Sequence, residues 1–129
     1  MNDEKIKQII NDTVTTTVLQ LKAAGLLRDG AKTAYEKTEV LLRQYPELKK
    51  VHEPYAQRVV AEIDACMADA EDDPYLDVIR LYYFAGETNV ACAKILCCEE
   101  RTARRNRAAL VKRFSARLAS DEFIRELLL

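Results

Sequence analysis

At 129 residues the chain is long enough for one domain with a modest core. It is 49% hydrophobic and 32% charged, as suits a soluble globular protein, and its three glycines and three prolines leave too few turns for a β-sandwich. The formal net charge of −1 hides an asymmetry: residues 101–129 hold eight Lys/Arg against three Asp/Glu, whereas residues 1–100 hold twelve against eighteen. A sign reversal of this kind suggests that the basic part meets a polyanion.

The spacing of apolar residues predicts helices throughout. In the first, over about 3–24, Ile6, Ile10, Val14, Val18 and Leu21 recur at near-helical spacing, and Gly25 is the expected stop. The β-branched run Thr13–Val18 lowers the intrinsic helix propensity there. Thr33 and Glu36 form a capping box for a second helix, with Leu41, Leu42 and Tyr45 on one face and an interruption at Pro46. A third helix is expected from Pro54 to Ala70 after a break near Glu53. Its apolar stripe is Val59, Val60, Ile63, Cys66 and Met67. Asp73 and Pro74 open a fourth helix to about residue 85, with Leu76, Ile79 and Tyr83 on one side and Gly86 at its end. Thr88 caps a short helix over about 89–96. A long helix follows from near Glu99 to about Leu118, and Ser120-Asp121 begin a terminal one that ends in Leu127-Leu128-Leu129.

Several function classes find no support in the residues. Cys66, Cys92, Cys97 and Cys98 lack a zinc spacing and His52 is the only histidine, so the cysteines are expected to be reduced thiols packed as small apolar residues in a cytoplasmic protein. No metal or other cofactor is expected. The opening MNDEKIKQ does not read as a signal peptide, and no apolar run approaches the ~20 residues of a membrane helix. There is no glycine-rich phosphate loop or nucleophile elbow, so no enzyme and no catalytic residue is expected. The adjacent Asp72 and Asp73 are explained as capping groups before Pro74. Tyr75, Tyr82 and Tyr83, at helical spacing in an apolar segment, are expected to pack rather than to stack on bases.

Residues 101–120 carry seven Lys/Arg and no acid. On a helix, Ala103, Leu110, Phe114 and Leu118 fall on one side, with Val111 at its edge. Arg101, Arg105 and Lys112 fall on the other, with Arg104 beside them. A solvated helix face usually mixes signs in i,i+4 pairs, and this one does not. A short helix, a tight turn and a longer basic helix make the order of a helix-turn-helix, whose second helix enters the major groove.

The stretch IRLYYFAGETNVACAKILCCEERTARRNRAALVKRF, residues 79–114, resembles region four of bacterial sigma factors. Tyr83-Phe84, Gly86, the Cys92–Leu96 segment and the Glu99–Ala103 segment carry the likeness. Residues 11–50, with Lys37-Thr38, Leu41-Leu42 and Tyr45, are similar to the N-terminal part of small ArpU-like and RinA-like phage or prophage late-gene regulators. The resemblance implies an all-α protein in which an N-terminal helical part, residues 1–70, packs with a sigma-like helix-turn-helix part, residues 71–129. It implies sequence-specific binding of double-stranded DNA, with Glu100, Arg101, Thr102, Arg104 and Arg105 facing the groove. Lys112 and Arg113 would hold phosphate, and Thr88, Asn89 and Lys94 would lie near the flanking strand. RNA polymerase is the further partner it brings, while the apolar stripe of the first helix and the Leu-rich terminus offer surfaces for pairing with a second copy of the chain. The chain departs from that pattern at the turn residue Cys97, at Glu99 in place of a Ser cap, and at Asn106 and Arg107. Arg107 is expected to lay its stem on the core and pair with an acid of the N-terminal half. Two other readings fit the same residues: a small terminase subunit on packaging-site DNA, and a diverged interaction module that binds no DNA.

Overall fold

In the computed structural model, which describes residues 2–128, the chain is all-helical, with no strand among those residues. The helices are α1 (Asp3–Arg28), α2 (Ala34–Leu48), α3 (Pro54–Asp69), α4 (Asp77–Ile79), α5 (Asn89–Ile95), α6 (Glu100–Leu118) and α7 (Asp121–Leu128). A π-helical segment, Arg80–Phe84, continues α4 without a break.

Local chemistry sets most of the boundaries. Thr33 Oγ1 accepts from the Glu36 amide while Glu36 Oε1 accepts from the Thr33 amide, so the capping box is complete. The Thr33 amide and the Thr33 hydroxyl both donate to Glu36 Oε1 and hold its carboxyl below the usual carboxylate range. Pro54 stands in the first turn of α3, where its missing N–H costs no helical bond. Asp73 Oδ1 accepts from the Tyr75 amide at 2.8 Å and so closes a turn; it does not cap a helix at Pro74 as expected, because α4 begins only at Asp77 and has no side-chain cap. Thr88 Oγ1 accepts from Ala91 N at the start of α5, and Ser120 Oγ accepts from Phe123 N at the start of α7. Gly86, at φ +73°, ends the π segment. Leu129 lies outside the described residues.

Three boundaries differ from expectation. Gly25 does not stop α1, which continues to Arg28 because Leu27, behind Ala23, is drawn into the core. Pro46 lies inside α2, which runs on to Leu48. A proline two residues from a helix end sacrifices one bond, and the buried Leu48 offsets it. The fourth helix is part turn, part α and part π. The wider π turn brings the buried Tyr83 and half-buried Phe84 to α2: the Tyr45 and Phe84 rings stack at 4.2 Å, and Tyr83 reaches Glu39.

One continuous core joins all the helices. It runs from Ala23 and Leu27 through Leu41, Leu42, Val59, Ile63, Ile79 and Phe114 to Phe123 and Leu127, so residues 1–70 and 71–128 do not bury separate interiors. Helix α6 is central, packing against α2, α3, α4, α5 and α7. Its predicted apolar face is the buried one: Ala103, Leu110, Val111, Phe114 and Leu118 are all within the core. Gln44 ties α1, α2 and α3 together, donating to Leu19 O and accepting from the Tyr55 hydroxyl. Both functions of this buried amide are thereby used.

The cysteines are free. Cys66 and Cys92 are buried, as expected of small apolar side chains, while Cys97 is exposed. Burial pushes the Cys66 thiol up to about 11. His52 is exposed in the break between α2 and α3. Among the described residues no helix is long and apolar enough to cross a membrane.

Candidate nucleic-acid interface

The candidate surface is the outer face of α6 together with α5 and the turn between them. Helix α5 is seven residues long, with Cys92 and Ala93 buried and Lys94 exposed. The turn is made by Cys97 at φ +54°, the left-handed region that glycine occupies without strain. Cys98 N then bonds back to Ala93 O at 3.0 Å, and Cys97 N to Lys94 O at 3.2 Å, which satisfies the carbonyls at the end of α5. Glu99 precedes α6 and makes no side-chain capping bond.

Because Cys97 holds a strained φ, Cys97→Gly is expected to stabilise the chain by about 0.5–1 kcal/mol: relief of the left-handed penalty exceeds the entropy glycine adds to the unfolded state. Urea denaturation checks this; the midpoint should rise with the slope unchanged.

Burying one face of α6 turns the other outward. Arg101, Arg104, Arg105 and Lys112 are exposed, and so are Ala108 and Ala109 between them. Only Arg104 of these cations has an acidic neighbour among the described residues, Glu100 Oε1 at 3.8 Å. A surface pair at that distance contributes little. Arg101, Arg105 and Lys112 have no ion-pair partner among the described residues, and neither does Lys94 on α5.

The other predicted contact residues sit differently. Thr88 spends its hydroxyl on capping α5. Asn89 Oδ1 accepts a hydrogen bond from Arg107. Thr102 is half-buried, and its carbonyl accepts from Asn106 Nδ2 at 2.8 Å. Arg113 Nη2 donates to Asp69 O at 2.7 Å, at the C-terminal end of α3. There it complements the negative end of a helix, so its guanidinium is directed into the protein's own surface. Arg117, on the same side, pairs with Glu62 at 2.8 Å and Asp69 at 2.9 Å.

Arg107 differs from its expected arrangement. No acid of the N-terminal half meets it among the described residues. Its guanidinium lies 3.7 Å from the centroid of the Tyr82 ring, and Asn89 takes one of its N–H groups. Its Nε is buried without a partner among the described residues. The cation is held by a ring face and an amide oxygen, joining the π segment, α5 and α6. Tyr82 in turn meets Tyr83 edge to face at 4.9 Å, and Tyr83 donates to Glu39 at 2.7 Å. Tyr82 and Tyr83 therefore serve packing.

Sequence reasoning did not single out Ala108 and Ala109, although stepping 100° per residue places Ala108 between Arg101 and Arg104. The roles of Arg107, Arg113 and Arg117 depend on residues 18 to 55 positions away, and no short-range signal carries them. The chain matches no family model, no curated protein and no solved structure.

Proposed function

We propose that the protein is a sequence-specific DNA-binding transcription regulator of phage or prophage late genes, acting in the cytoplasm, with α6 as its recognition helix. One observation carries this: the outward face of α6 presents Arg101, Arg105 and Lys112 without acidic partners among the described residues, around the small side chains of Ala108 and Ala109. Arg can bond two acceptors on guanine, and alanine methyls allow close approach and contact with thymine methyls. The sigma-like likeness of residues 79–114 supports the same helix and adds RNA polymerase as a partner at the promoter.

In this reading Arg101 and Arg105 address base edges, while Arg104, Lys112 and Lys94 neutralise phosphate. Arg113, Asn89 and Thr88 act within the protein: they hold α3, Arg107 and α5 and so set the angle at which α6 is offered.

Binding of promoter-bearing phage DNA and of unrelated DNA, titrated with salt, tests the reading. The wild type should show a steep salt slope and a preference of roughly 10³-fold or more for the promoter, and Arg101→Ala/Arg105→Ala should lose that preference. Equal, weak binding unchanged by the mutations would leave α6 as a protein-contact surface. Preference for a packaging site, with a ring-shaped oligomer, would instead mark a small terminase subunit.

A further inference from the structure

The outward side of α6 is not a uniform cationic strip. Stepping about 100° per residue, the buried Ala103, Leu110, Val111, Phe114 and Leu118 centre about 230° from Arg101. The ridge opposite them carries, in chain order, Arg101, Arg105, Ala108, Ala109, Lys112 and Ala116, all exposed. Two arginines one turn apart come first, then two methyl side chains, then a single lysine.

The two halves of α6 also have different neighbours. Arg113 donates to Asp69 O and Arg117 pairs with Glu62 and Asp69, so carboxylates of α3 stand beside the C-terminal half. Negative charge there opposes close approach of phosphate. In the N-terminal half the one ion pair among the described residues is Arg104 with Glu100, and both lie off the ridge. The first two turns are therefore the part of α6 that can enter a groove, as the N-terminal residues of a recognition helix do.

We infer that α6 reads a run of about four base pairs, with a G·C pair at the first and third positions and a T·A pair at the fourth. This rests on the DNA-binding reading and gives it a target. Arg101 and Arg105 are separated by about 6 Å along the axis, which matches about two base-pair steps of roughly 3.4 Å when the helix lies along the major groove. Guanine alone offers two acceptors, O6 and N7, on its major-groove edge, and the guanidinium fork fits both. Neither Arg101 nor Arg105 has a carboxylate partner among the described residues, so both forks are free for that bond. Ala108 lies about 10.5 Å beyond Arg101, about three base-pair steps. Its methyl makes no hydrogen bond, and the apolar group it can meet in that groove is the thymine methyl. Lys112, about 16.5 Å from Arg101, stands where the helix leaves the bases and holds phosphate.

Selection of duplexes from a random-sequence library by the full chain, at about 100 mM salt, tests this. The bound pool should be enriched in two G·C pairs one position apart, followed directly by T·A. Arg101→Ala should relax the first G·C position alone, and Arg105→Ala the third alone. On one selected duplex, replacing either G·C pair should weaken wild-type binding about 5- to 150-fold. Uracil in place of the thymine removes one methyl and should weaken it about 4-fold. Lys112→Ala should weaken all duplexes alike and lower the salt slope by about 1. A pool without enrichment, with weak binding to every duplex, would defeat the DNA-binding reading and the inference with it. A selected motif without the two spaced G·C pairs, or one that the arginine variants leave unchanged or relax at the same pair, would overturn the inference and leave the DNA-binding reading in place.

Discussion

Replacing Phe114 by Ala is expected to destabilise the protein by about 3–5 kcal/mol, a large fraction of the stability of a domain this size. Phe114 is 2% exposed and the largest of the fully buried side chains. It stands on α6, which touches α2, α3, α4, α5 and α7, so the cavity would open in the middle of the one core and no single helix could collapse to fill it. Because residues 1–70 and 71–128 share that core, loss at Phe114 should be felt in both. Denaturation should remain one transition, with the same midpoint whether followed by helix signal or by tyrosine fluorescence. Two separated transitions would mean that the halves are stable independently. By contrast, Arg101→Ala/Arg105→Ala touches only exposed side chains and should leave the denaturation midpoint nearly unchanged, so that any effect on DNA is an effect on recognition.

Stability should fall steeply as pH rises from about 10 to 12. Three buried tyrosines hold their protons more tightly in the folded state than in the unfolded chain. Tyr45 is pushed up to about 12, by burial first and then by the Asp64 carboxylate that accepts its hydrogen bond at 2.6 Å. Burial pushes Tyr55 upward, and its hydroxyl donates to Gln44 at 2.8 Å. Burial and the Glu39 carboxylate push Tyr83 up further still. A raised phenol pKa means that the unfolded chain releases its protons first. The contribution is therefore complete below pH 10 and is lost as pH climbs through the folded value. Cys66, raised by burial to about 11, acts in the same direction from about pH 9 upward. Urea midpoints measured at pH 8, 10 and 11.5 check this: the midpoint should already decline between the first two, as Cys66 and the tyrosines of the unfolded chain begin to ionise, and should drop more steeply to the third. Tyr45→Phe removes one titrating group and should flatten part of the decline.

The features legible in the sequence are those whose causes lie within about four residues. Thr33 and Glu36 satisfy each other's backbone groups, Pro54 starts a helix where its missing donor is harmless, and Thr88 caps α5. The turn position of Cys97 came from the sigma-like resemblance, whose pattern favours a residue tolerant of positive φ there, and Cys97 takes that φ. The buried face of α6 followed from the 3.6-residue period, which placed Ala103, Leu110, Phe114 and Leu118 together before any neighbour was known.

The remaining features are set by packing, because the partners that fix them lie far along the chain. Gly25 is a local stop signal, but burial of Leu27 carries α1 past it. The π segment arises where Tyr83 and Phe84 must meet Glu39 and Tyr45, about 40 residues earlier. A periodic pattern counted the cations of α6 correctly but could not sort them. Arg107 is held by Tyr82 and Asn89, and Arg113 by the carbonyl of Asp69, which leaves Arg101, Arg105 and Lys112 facing outward. Propensity and periodicity, being local, thus account for most of the helices, the caps of α2 and α5 and the buried sides of α3 and α6, but not for the ends of α1 and α2, the packed side of α1 or the π turn after α4. Which apolar sides are covered and which charges remain free was decided by packing between distant segments, where burial outweighs local preference.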